Sequence, residues 1–174
     1  FDALGNGGLI YITCYMMLLG MSDGAQIIIA RRIGENRLET IGRVFGTSLF
    51  TLFILAISMF SILSFLIPDW IISYSANKNI ASLQGEFLHI RSFSLFFAMI
   101  TLSIQAMLIA KGRTVVVLIA ALITAGSNVL MAYAFIFGNF GMPKLGIQGA
   151  ALASTLADAC CMVFLICYLI RSKE

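Results

Sequence analysis

Asp158 is the residue whose placement most constrains its chemistry. It lies thirteen residues before Arg171 in an otherwise uncharged apolar run, about 20 Å from the basic end of that run at 1.5 Å per residue. An ionised carboxylate at that depth in a bilayer costs about 2.5–3.5 kcal/mol on insertion scales. Two arrangements support it there. It lines a polar cavity, where it binds a proton or a cation, or it is held by hydrogen bonds and locks two helices together. Ser154 stands one turn earlier on the same face. Gly149, Ala153 and Ala157 form an adjoining stripe of small residues that lets another helix approach closely.

Other polar residues are set into apolar surroundings in the same way. Asn128 sits near the middle of a long apolar run beside Thr124, Ser127 and Tyr133. A buried amide has donors and an acceptor that need partners, so Asn128 faces protein or water and not lipid. Both helix-to-helix bonding and a place in a cavity wall answer that need. Asp23 lies eight residues before Arg31, about 12 Å inside, among Gly20, Ser22, Gly24, Ala25 and Gln26. That stretch suits a kink. Asp23 reaches a cavity, caps a broken helix, or pairs with a basic loop side chain. Gln26 and Gln105 are candidates for interhelical bonding.

These positions matter only if the elements around them cross a membrane, and the composition says they do. Of the 174 residues, 60% are apolar, 11% are charged, and the mean hydropathy is +1.00. Soluble domains carry about 25% charged residues, so a cytosolic domain, a disordered segment and a nucleic-acid binder are all excluded. The partner is a lipid bilayer. Four cysteines lie within apolar runs, without a CxxC, and His89 is the single histidine. No metal-ligand spacing results. No GxSxG, HExxH or GKS/T pattern is present either, so the reading is not an enzyme.

Five apolar runs are each about long enough to cross: 9–32, 44–67, 92–110, 114–137 and 147–170. None shows the alternation of a barrel strand, and all are expected to be helices. The second is expected to stop at Pro68-Asp69, leaving Pro68 to Arg91 as an outer segment with a short surface helix. Trp70 and Tyr74 are its expected interfacial anchors. Arg31, Arg32, Arg37, Arg43, Lys111, Arg113, Arg171 and Lys173 fall on one side, and Lys78, Arg91 and Lys144 on the other. The richer side is expected to be cytoplasmic, which puts the amino end outside and the carboxyl end inside a cell inner membrane. A chain that starts outside on Phe1 is expected to lack one preceding helix.

Three stretches resemble the multidrug and toxic compound extrusion (MATE) transporters. The first is Gly-Met-Ser-Asp-Gly-Ala-Gln-Ile-Ile-Ile-Ala-Arg-Arg-Ile-Gly-Glu at 20–35, similar to a Gly-rich helix ending in a basic loop. The second is Leu-Ile-Ala-Lys-Gly-Arg-Thr at 108–114, similar to the turn after the fourth helix. The third runs from Asn128 to Gly138 and on through Gly-Met-Pro-Lys-Leu-Gly-Ile-Gln-Gly-Ala-Ala-Leu-Ala-Ser at 141–154. It resembles the family's Asn helix and the Gly-x-Pro-x-Leu-Gly-x-x-Gly-Ala-Ala-Leu-Ala-Thr signature that follows.

The resemblance implies an all-α, polytopic membrane helix bundle: helices two to six of a six-helix first lobe. The first helix and the whole second lobe of the same protein are then the missing partners. It implies export of small organic, drug-like compounds in exchange for H⁺ or Na⁺, as two lobes rock between outward- and inward-facing states. No cofactor is implied beyond that coupling cation. In many members an acid in the first helix works with an Asn and an Asp one turn apart in the fifth. Asn128 matches the Asn, but Ala132 stands where the Asp would be, and Ser154 stands for a cavity-lining Thr. Asp158, one turn beyond Ser154, is our candidate replacement, unless coupling resides in the absent lobe. The expected cavity set is therefore Asn128, Ser154, Asp158, Asp23, Gln26 and Tyr133. Two alternatives stand beside it. A lipid-linked saccharide flippase of a related fold should show a strongly basic cavity, and no Lys or Arg falls in the intramembrane core of the five runs. A non-transport membrane assembly protein would use Asp158 only to join helices.

Overall fold

A computed structural model of the chain describes residues 2–74, 78–139 and 141–172. Among them every regular element is helical. α1 (Asp2–Gly34) runs as one α-helix through Gly20, Asp23 and Gly24, so Asp23 does not cap a broken helix. Arg31 and Arg32 in its last turn offset the negative end of the helix dipole. Asn36 turns the chain with φ 57°, a left-handed conformation that Asn tolerates better than most residues. A 3₁₀ turn at Leu38–Thr40 then leads into α2 (Ile41–Ser61).

Pro68 does not stop the second span. A π turn at Ile62–Leu66 comes first, closed by the N–H of Ile67 on the carbonyl of Ile62. It passes directly into α3 (Ile67–Tyr74). Pro68 thus falls at the second residue of α3, directly after the π turn, and the helix continues through it. The outer segment holds a second helix as well, α4 (Lys78–Ser92). α4 is bent by 41° from α5 (Ser94–Ala110) across Phe93, and the two together pass as one broken span. Trp70 is exposed on α3, whereas the side chain of Tyr74 lies outside the described residues, as does Lys173.

Gly112, with φ 77°, ends α5 by letting the N–H of Arg113 reach the carbonyl of Leu108 at 2.8 Å. α6 (Thr114–Phe137) and α7 (Ile147–Ser172) follow, joined by a turn with Gly138, Gly141 and Gly146 all at positive φ. α6 and α7 share the most extensive interface in the bundle. Gly149 makes that closeness possible: a Cβ there would stand 2.7 Å from the carbonyl oxygen of Phe135.

α5 is the central helix. Leu95, Ala98, Leu102, Ile104 and Leu108 are all buried, packed by Leu18 of α1, Leu52 of α2, Leu88 of α4 and Leu165 of α7. The outside of the bundle is studded with exposed Leu9, Ile12, Phe50, Phe53, Leu118, Leu122 and Val129. Water would not tolerate such a surface, and lipid does. Four helical stretches are long and apolar enough to cross a membrane, and the bent pair α4–α5 makes a fifth. The chain is an all-α, multi-pass membrane helix bundle.

Candidate functional site

Asn128 is placed by α6 so that its amide crosses to α7, where Nδ2 donates to Oγ of Ser154 at 3.1 Å. Beside it opens a pocket of about 500 Å³ lined by Tyr15, Gln105, Thr124 and Asn128, with Ala121, Ala125 and Val129 between them. Three helices, α1, α5 and α6, supply this wall. Polar groups at mid-helix converge there from sequence positions as far apart as Tyr15 and Asn128. Thr124 gives its hydroxyl proton to the carbonyl of Ala120. Its oxygen can therefore only accept, while the amides of Gln105 and Asn128 can do both. Such a pocket can receive a polar or cationic group of a small molecule.

Asp158 does not line that pocket. It stands one turn past Ser154 on α7 and receives a hydrogen bond from Nη1 of Arg91 at 2.8 Å. The pair is largely buried, with side-chain exposures of 15% for Arg91 and 22% for Asp158. Arg91 is held from a second direction, since its Cζ lies 4.3 Å from the ring centroid of Tyr11 on α1. Tyr11 is fixed in turn. Ser94 gives its proton to the carbonyl of Arg91 at 2.7 Å, so the phenol of Tyr11 must be the donor in its 2.7 Å bond to Ser94. α1, α4, α5 and α7 thus meet around one ion pair. A carboxylate so placed is compensated by a tethered cation, and anything that protonates it sets that cation free.

The remaining sequence-derived candidates are scattered. Asp23 is exposed on α1 and has no hydrogen bond or ion pair among the described residues. Gln26 is half-buried one turn further on. Tyr133 is exposed on α6, its ring 5.7 Å from that of Phe137. Neither Asp23, Gln26 nor Tyr133 joins the Asn128 pocket wall.

The sequence reading missed Arg91, Tyr11 and Tyr15. Arg91 counted as an outer-loop charge because it precedes the apolar run, yet α4 carries it into the bundle. Charge balance held the signal: an acid inside a membrane needs a cation, and only Lys78, Arg91 and Lys144 lie toward that end. Arg91 is also the basic side chain whose absence from the spans had weighed against a flippase. It is neutralised by Asp158, so it does not create a basic cavity.

A second polar cluster ties the π turn to α4. Oγ of Ser64 lies 2.9 Å from Nδ1 of His89 and 3.2 Å from Oγ of Ser92, which itself donates to the carbonyl of His89. At the opposite end of the bundle Glu35 draws in Arg31, Arg32 and Arg37 at 2.9, 3.0 and 3.6 Å. The hydrogen bond from Arg31 is the main reason its carboxyl titrates below an ordinary glutamate.

The fold and site define a multi-pass membrane helix bundle with polar groups converging between its spans. The MatE family model matches residues 3–134, and the chain belongs to that family. A probable multidrug resistance protein NorM of Agrobacterium fabrum is 34% identical over 98 residues, covering 56% of this chain and 21% of that protein. Its counterpart in Bacillus cereus is 26% identical over 168 residues, 97% of this chain and 37% of that protein. The chain therefore spans well under half the length of the curated relatives it matches. Among solved structures, an outward-facing multidrug resistance MATE family transporter superposes with a TM-score of 0.87 at 22% identity. That match covers 99% of this chain and 38% of the other. An inward-facing one gives 0.83 at 22%, covering 96% and 37%.

Proposed function

We propose that this chain forms most of one lobe of a secondary transporter that exports small organic, drug-like compounds in exchange for H⁺ or Na⁺. The observation that carries the reading is the fit of one arrangement of these helices to both an outward-facing and an inward-facing MATE transporter. A lobe that fits both states is a body that rocks without refolding, which is what alternating access between two lobes demands. The first helix of this lobe and the whole second lobe are its partners. The basic end lies in the cytoplasm of a cell whose inner membrane holds the protein.

In this reading Asn128 and Ser154 form the polar wall against which substrate or ion is held, with Asp23, Gln26 and Tyr133 facing parts of the same cavity completed by the other lobe. Asp158 supplies the exchangeable charge that Ala132 lacks. Arg91 satisfies it in the ion-free state, and a proton arriving at Asp158 releases Arg91. The test is export of ethidium, an organic cation, from cells expressing the complete protein and lacking their own exporters. Export that collapses when the proton and sodium gradients are dissipated supports the reading. A stably inserted protein that moves no organic compound against a gradient overturns it, and the assembly reading then takes its place.

A further inference from the structure

A cleft of about 490 Å³ lies between α1 and α2, lined by Met21, Gly24, Ala25 and Ile28 on one side and Val44, Thr47, Ser48 and Thr51 on the other, with Arg43 at its end. Its hydroxyls have no proton left to give a ligand. Thr47 bonds the carbonyl of Arg43, Ser48 that of Phe45, and Thr51 that of Thr47, at 2.8, 2.8 and 2.9 Å. Each proton is spent on its own helix, so the walls present carbon. The cleft is a long apolar slot with one charge at its mouth.

Among the described residues that charge has no ion-pair partner. Glu39 stands four residues before Arg43, the spacing at which a helix normally closes a carboxylate–guanidinium pair. No such pair forms, and Arg43 lines the cleft. The other nearby acid, Glu35, is already taken by Arg31, Arg32 and Arg37. Around the α1–α2 connection Arg31, Arg32, Arg37 and Arg43 thus stand against Glu35 and Glu39, with Arg43 the guanidinium that lines the apolar slot.

We propose that the α1–α2 cleft binds an anionic phospholipid, with its phosphate on Arg43 and an acyl chain lying along Ile28, Ala25 and Met21. Charge selects the occupant. A zwitterionic lipid also brings a phosphate, but its choline sets a second positive charge beside the guanidinium, whereas a lipid of net negative charge satisfies Arg43 without that repulsion. Gly24 keeps the slot open, since a side chain added there would meet nothing within 4 Å. Bound in this way the lipid fills the gap between the two helices and stabilises the bundle. This inference is independent of what the protein carries.

The test uses the complete protein, purified and stripped of lipid, then titrated with phosphatidylglycerol or with phosphatidylcholine of the same chains. Bound lipid is read by native mass spectrometry and stability by thermal unfolding. The expected result is that phosphatidylglycerol binds and raises the unfolding temperature while phosphatidylcholine does so far less. Arg43→Gln should weaken phosphatidylglycerol binding about tenfold, and Arg43→Lys should keep most of it. Gly24→Leu, which fills the slot from an open position, should reduce binding while Arg43 stays in place. Equal binding of both lipids, or phosphatidylglycerol binding unchanged by both Arg43→Gln and Gly24→Leu, overturns the proposal. Absence of any lipid binding, because another part of the protein covers the slot, overturns it equally.

Discussion

Arg91 and Asp158, 67 residues apart, meet at 2.8 Å between α4 and α7, with the ring of Tyr11 covering the guanidinium. The pair ties α4, which bends away from α5 at Phe93, to α7. Removing one partner strands the other in a largely buried place, at a cost of about 3 kcal/mol. Asp158→Asn and Arg91→Gln should therefore each lower the unfolding temperature. The double variant Arg91→Met with Asp158→Leu should recover most of that loss. If Asp158 also carries the coupling ion, the double variant is stable and yet inert in ion-driven export. Normal export from a stable double variant would confine the pair to a structural role.

Asn128 should behave differently. Its bond to Ser154 is one neutral hydrogen bond, of the order of 1 kcal/mol, so Asn128→Ala should leave the bundle folded. Export should fall far more than stability, because the amide faces the pocket shared with Gln105 and Tyr15. Ser154→Ala should be milder, since it leaves that amide in place. Ethidium export normalised to folded protein checks both, and the reverse ranking would remove Asn128 from the cavity wall.

Glycines at two positions make opposite predictions. At Gly149 a methyl group would press on the Phe135 carbonyl at 2.7 Å, so Gly149→Ala should destabilise by about 1–3 kcal/mol as α7 is pushed from α6. At Gly24 nothing lies within 4 Å, and Gly24→Ala should be neutral or stabilising by up to about 1 kcal/mol through helix propensity. Thermal unfolding of the two variants side by side decides the matter.

Glu35 gives a pH dependence outside the membrane. Its carboxyl is held below the usual range, first by the hydrogen bond from Arg31 and then by Arg32. The sign follows: the group favours the folded turn above its unfolded-state pKa, and that contribution disappears as pH falls through its lower folded-state pKa. Carboxyl carbon NMR of Glu35 should show titration below the ordinary glutamate range, and Arg31→Gln should raise it. Titration of Glu35 in the ordinary glutamate range, unmoved by Arg31→Gln, would rule out the cluster.

Much of this architecture was legible in the chain. Apolar length set α6 and α7, and the Gly138–Pro143 run marked the turn between them, because glycine at positive φ is the cheapest way to end a helix there. Asn128 and Ser154 both belong to the cavity set that the family resemblance implies, but nothing in the chain pairs them with each other. What stayed hidden was anything depending on helix direction across a break. Hydropathy reads Arg91 as outside and Pro68 as a stop. A window average cannot see that a π turn lets the chain pass a proline, or that α4 re-enters at an angle. The Tyr11 and Ser94 contacts are set by that same angle and have no local signature.

The closeness of α6 and α7 also bears on how the protein is made. The N–H of Leu145 reaches the carbonyl of Phe135 at 2.9 Å, Gly138 closes α6, and Gly149 admits it to the face of α7. All of these contacts lie within a short stretch of chain, so their loop-closure entropy is small and they form early. α6 makes little contact with helices other than α7. This arrangement favours entry of α6 into the bilayer as half of a helical hairpin with α7.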